Sequence, residues 1–80
     1  MDKRINRIAM SENGFIFDPQ TGVSYVTNST GLEILKKLKD AKEVDDIREH
    51  VVKEFEVSSE EAERDVIDFL ELLKSKGFVE

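Results

Sequence analysis

The residues of this chain that could do chemistry are few. The single histidine, His50, stands between Asp46 and Glu54 at four residues either side. That spacing puts a carboxylate one helical turn above and below the imidazole, the minimum for a metal ligand or a proton shuttle. The same spacing is also ordinary for an exposed surface histidine, and the sequence favours that reading. There is no cysteine, so neither a thiolate metal site nor a Cys-His pair can be built. Asp45-Asp46 and Glu60-Glu61 are adjacent carboxylates near helix starts. Neighbouring helical residues point about 100° apart, so neither pair converges on a substrate, and both suit the helix dipole. Gly14, Gly22, Gly31 and Gly77 each have a turn, packing or cap reading, and no phosphate-cradling glycine motif is present. Without a metal cluster or a nucleophile–base pair, the inventory points away from an enzyme and toward binding, with no cofactor.

Two sets of residues could bind. One is the stretch Val23-Ser24-Tyr25-Val26-Thr27, aromatic and β-branched, after which the pattern turns helical up to Gly77. A last strand can leave a free sheet edge, and a free edge can pair with an extended peptide. Alternation places Val23, Tyr25 and Thr27 on one face and Ser24 and Val26 on the other. Which face packs on the helices is not fixed by the pattern. The other set is Asp65, Asp68 and Leu72, on the flank of the last helix and aside from its main apolar face. These residues suit a groove wall that is apolar in part and acidic at its rim. Leu72 can equally be a peripheral core residue, and Tyr25 a half-buried strand aromatic.

The elements that must position these residues follow from turns and periodicity. Residues 4–9 read as a weak strand, with Ile5 and Ile8 off strict alternation. Asn13-Gly14 is a hairpin signal. Residues 14–18 give a second strand and 23–27 a third, joined by Asp18-Pro19-Gln20-Thr21-Gly22. In that turn Pro19 presets its φ, and the Asp18 carboxylate can bond the backbone ahead of it. Asn28 caps a first helix to about Leu38, and Gly31 falls near the centre of its apolar side, where it permits close packing. A second helix covers roughly 44–55, with Val44, Ile47, Val51, Val52 and Phe55 as its stripe. Ser58-x-x-Glu61 opens a third, and Gly77 closes it after Lys74 and Lys76. Ala62, Val66, Phe69, Leu70 and Leu73 form its main apolar face. Phe78-Val79 either closes the core or adds a short strand.

Eighty residues make one domain, 1–80, with a thin core. The reading is an α+β fold, a three-stranded antiparallel meander followed by three helices. Nothing resembles a signal peptide or a membrane span, so a soluble cytoplasmic protein is expected. The net charge is −6, from 12 basic and 18 acidic residues. The acidic excess lies entirely in residues 28–80. Three helices after strands could suggest a winged helix that reads DNA with its last helix. Here that helix carries Glu60, Glu61, Glu63, Asp65, Asp68 and Glu71 against Arg64, Lys74 and Lys76. It would meet phosphates with the wrong sign, so nucleic acid is not expected as a partner.

A longer pattern runs through these residues: Phe17-Asp18-x-x-Thr21-Gly22-x-x-Tyr25-x-x-Asn28-x-x-Gly31-x-x-Ile34-Leu35, then Val44-x-x-Ile47, then Glu63-x-Asp65-Val66-x-x-Phe69-Leu70-x-x-Leu73-x-x-x-Gly77. In order and spacing, over residues 14–79, it resembles the PqqD family. The resemblance implies a RiPP recognition element with a winged-helix-like fold. Such proteins act as peptide chaperones. They bind the leader of a ribosomally made precursor peptide along the third strand and third helix, and present the core peptide to a modifying enzyme, often a radical SAM protein. Carried over by position, Val23, Ser24, Tyr25, Val26 and Thr27 with Asp65, Asp68, Phe69 and Leu72 become the leader site. One departure is Glu43 at the start of the second helix, where a hydroxyl cap is more usual; it does not touch the site. Similar patterns occur in leader-binding proteins of lasso-peptide clusters and in domains fused to larger maturases, so pyrroloquinoline quinone biosynthesis is one candidate pathway among several. The alternative is an acidic winged-helix module that docks on a protein and reads no leader. A precursor gene beside a maturase gene separates the two. A free edge also allows a weak homodimer in place of a monomer.

Overall fold

A computed structural model describes residues 3–80 of the chain. A 3-10 turn, Lys3–Arg7, leads into strand β1 (Ala9–Met10), followed by β2 (Phe15–Phe17) and β3 (Ser24–Val26). Helices α1 (Ser29–Lys39), α2 (Val44–Phe55) and α3 (Ser59–Ser75) follow. The sheet is antiparallel in the order β1-β2-β3, and the α+β meander-then-helices architecture is as expected.

The first segment is the main correction. Residues 4–9 are not a strand: most of them form the 3-10 turn, and pairing begins only at Ala9. Ile5 and Ile8, three apart, both point inward and are almost fully buried. A three-residue repeat brings such positions onto one side, which is why they broke alternation. The third strand is also shorter than 23–27, with Val23 and Thr27 flanking its paired core.

The hairpin between β2 and β3 closes as its residues dictate. The Gln20 N–H donates to Asp18 Oδ1 at 2.9 Å, the Gly22 N–H to the Asp18 carbonyl at 2.8 Å, and the Asp18 N–H to the Val23 carbonyl at 2.8 Å. The Asp18 carboxylate is fully buried and takes Arg7 Nε at 3.1 and 3.0 Å to its two oxygens. This pair ties the turn to the N-terminal segment. Burial pushes the Asp18 carboxyl up, but the Gln20 N–H and the Arg7 guanidinium outweigh it and hold the group below its ordinary 3.8.

The helices begin and end where their caps say. Asn28 Oδ1 accepts from the Gly31 N–H at 2.8 Å, and Ser58 Oγ from the Glu61 N–H at 3.1 Å. Glu43, at the start of α2, makes no side-chain cap bond. At the end of α3, the Phe78 N–H reaches back to the Leu73 carbonyl at 2.9 Å and the Gly77 N–H to that of Lys74 at 3.2 Å. This is a Schellman closure. It turns the chain so that Phe78 and Val79 are buried and finish the core, with no added strand. The core gathers Ile5, Ile8 and Ile16 under the apolar faces of all three helices.

Candidate functional site

β3 lies at an edge of the sheet, and among the described residues no further strand pairs with it. Its hydrogen bonds show which way its backbone faces. Val23 accepts from the Asp18 N–H, and the Thr27 N–H donates to Gly14, both at 2.8 Å. Val23, Tyr25 and Thr27 therefore turn their backbone polar groups toward β2. In an antiparallel ladder the intervening residues face the other way. The N–H and C=O groups of Ser24 and Val26 thus point out from the edge.

Side chains alternate in the same rhythm, which settles the face that the sequence left open. Val23 and Tyr25 pack against the helical core, whereas Ser24 and Val26 are exposed on the opposite face. Tyr25 is half-buried, with Lys76 Nζ 5.6 Å from the centre of its ring.

Beside this edge runs an open groove of about 450 Å³. One wall is the end of β3, with Tyr25, Val26 and Thr27; the other is α3, with Asp65, Asp68, Phe69 and Leu72. The start of α1 completes the lining with its cap Asn28 and with Thr30, Gly31 and Ile34. Of the nine residues expected from sequence, seven meet here. Val23 and Ser24 lie farther along the strand and do not line the groove. Phe69 is 5 % exposed, so it serves the core as much as the groove floor. Leu72 is half-buried and packs on the core edge while facing the groove.

Two glycines bring the groove walls together. A Cβ on Gly14, whose φ is +98°, would run into the Thr27 backbone oxygen, so only glycine lets the strand end lie this close. A Cβ on Gly31 would overlap Thr27 Oγ1 and stand 3.1 Å from the Phe69 ring. Thr27 is thereby seated between the two, and α1 meets the end of β3 through it, with Phe69 of α3 against the same Gly31. Asn28, the cap of α1, and the three α1 residues of the groove were missed from sequence; Gly31, central on an apolar helix face, was the signal that pointed to them.

The groove lining mixes apolar side chains, Ile34, Phe69 and Leu72, with the carboxylates of Asp65 and Asp68. Asp65 and Asp68 take part in none of the ion pairs among the described residues, which join Arg4 to Glu80, Arg7 to Asp18 and Arg48 to Asp45, nor in the contact of His50 with Glu33. They are three apart on α3 and face the same groove. Such carboxylates can take a cation from a bound chain.

His50 is half-buried, contrary to the exposed position expected. Its Nε2 lies 3.8 Å from Glu33 Oε2 on α1, across the helix pair, and has no hydrogen-bond partner. It is absent from the groove lining. Among the described residues no group of His, Asp and Glu could hold a metal ion, and no helix is long and apolar enough to cross a membrane.

Comparison with known proteins gives two matches. Residues 13–79 match the family model described as coenzyme PQQ synthesis protein D (PqqD). A solved structure, lasso peptide synthetase B1 complexed with the leader peptide, superposes with a TM-score of 0.74 at 28% sequence identity, covering 88% of this chain and 84% of that one. No curated protein sequence matches.

Proposed function

The chain belongs to the PqqD family, and from that premise we propose that it is a RiPP recognition element: a non-catalytic chaperone for the leader of a ribosomally made precursor peptide. The leader adds as a strand to β3 and lays alternate side chains into the groove against α3. Its backbone bonds to the outward N–H and C=O groups of Ser24 and Val26 supply generic affinity. Leu72 and the Phe69 edge receive an apolar side chain. Asp65 and Asp68 favour leaders with a nearby Lys or Arg. The bound precursor is then presented to a modifying enzyme, such as a radical SAM protein, in the cytoplasm.

The observation that carries this reading is the unpaired β3 edge lying alongside the groove. The leader-bound lasso synthetase structure supports it, since the likeness covers most of both chains. Ser24 has a backbone role in this account, and Val23 positions the strand from the core side. The same open edge allows weak pairing of two copies, which a leader would displace.

The test is calorimetric titration of the protein with the leader of the precursor encoded beside its gene. Saturable binding of one leader per chain, weakened by Leu72→Asp in a variant that still folds, is expected. Unchanged affinity in folded Leu72→Asp removes Leu72 from the site. Absence of binding to leaders, with capture of a maturase by the protein alone, would support a docking module that reads no leader.

A further inference from the structure

The face of the sheet turned away from the helices carries apolar side chains that the fold leaves uncovered. Phe15 is 43% and Val26 67% exposed. The two are register partners on β2 and β3, so they are neighbours on this face. The Phe15 ring stacks on Phe17 with centroids 6.2 Å apart. These aromatics border a shallow depression of about 180 Å³ beside Ala9 and Met10. None of the strand residues on this face is charged. A single exposed hydrophobic residue is ordinary. A contiguous set that reaches the open edge of a sheet is not.

The backbone of Val26 faces the open edge, and its side chain stands on this outer face. A strand added to β3 continues the pleat. If some of its side chains enter the groove, those between them must emerge beside Ser24 and Val26. The occupant of the outer face is therefore fixed by the same pairing that fills the groove.

Resting on the leader-binding reading above, we propose that the leader is read on both faces of the sheet. One apolar side chain enters the groove at Leu72. Another, at a position of opposite parity, packs beside Val26 and against Phe15 on the outer face. The recognised segment thus carries two apolar residues separated by an odd number of positions. A strand that is apolar on one face only fills half the site.

The probe is a phage-displayed library of random peptides about 12 residues long, enough to cover a strand. It is selected on the wild-type protein, on Phe15→Ser/Val26→Thr and on Leu72→Asp, each checked for folding by circular dichroism. Wild-type selection is expected to enrich apolar residues at two positions of opposite parity. The double variant should lose only the outer preference and bind wild-type-selected peptides about fivefold more weakly. Leu72→Asp should lose the groove preference. If the double variant does not fold, Val26→Thr alone gives the readout, because that side chain is mostly solvent-exposed. Enrichment at one parity only, or unchanged affinity in the outer-face variants, overturns two-face reading and leaves the groove intact. No enrichment at all, or selection indifferent to Leu72→Asp, overturns the groove reading and this inference with it.

Discussion

The two edges of the sheet are built to opposite ends. At the β1 edge the strand is two residues long and is preceded at once by the 3-10 turn. Ile5 and Ile8 drive that segment into the core. Arg7 grips the buried Asp18, and Lys39 Nζ of α1 donates to the Ile8 carbonyl. At the β3 edge no other strand among the described residues pairs with it, and a groove lies beside it. A small sheet has two edges to protect from stray pairing. Here one is shortened and tied down, while the other is left available. The open edge is thus a selective feature rather than a property of small sheets, and it lies where the helices supply a second wall.

The comparison can be broken most forcefully at the closed edge. Ile8→Ala removes a fully buried side chain and should cost about 3 kcal/mol of unfolding free energy, read by urea denaturation. Leader affinity measured on the folded fraction should stay near wild type. A change confined to binding would mean that the N-terminal segment serves the groove after all.

Gly31→Ala should come next, at about 2 kcal/mol, because the new methyl must displace Thr27 and the Phe69 ring. Unlike Ile8→Ala, it should weaken stability and leader binding together, since it pushes β3 away from α3. Leu72→Asp should act on binding almost alone. About a tenfold loss of affinity is expected from a charge placed in the groove, with little change in the denaturation midpoint. Asp65→Asn with Asp68→Asn should weaken binding of a lysine- or arginine-bearing leader about threefold and flatten its salt dependence. Salt-insensitive binding by the wild type would remove both carboxylates from the site.

The smallest difference is one that acid should erase. The Asp18 carboxyl is held below its ordinary 3.8 in the folded chain. Its contribution to stability is therefore complete above that value and fades as the pH falls below it toward the folded pKa. Asp18→Asn should be less stable than wild type at neutral pH, and the gap should narrow in acid. Denaturation curves at neutral and acidic pH measure this directly, and a gap that widens in acid contradicts it.

Much of the open side was legible in the sequence, and less of the closed side. The β2–β3 turn, the Asn28 and Ser58 caps and the Gly77 stop are local signals, each settled by a few neighbouring residues. The flank position of Leu72 followed from helical periodicity alone. The N-terminal segment misled, because Ile5 and Ile8, three apart, break a strand's alternation, while two residues at that spacing suit an α-helix and a 3-10 turn alike. The Arg7–Asp18 clamp was invisible, as it joins residues that become neighbours only once the sheet has formed. The orientation of β3 needed its register, since a two-residue period looks the same from either face. The carboxylate nearest His50 was misplaced for a similar reason: Glu33 is on another helix, while the carboxylates at helical spacing are on its own.

The central claim is that β3 is an open edge which a leader strand fills. Amide hydrogen exchange of the 15N-labelled protein, with and without the leader, addresses it residue by residue. The account predicts that the Tyr25 amide is protected in the free protein, while those of Ser24 and Val26 exchange fast and become protected on binding. Protection of Ser24 and Val26 in the free monomer, or their continued fast exchange in the saturated complex, would contradict it.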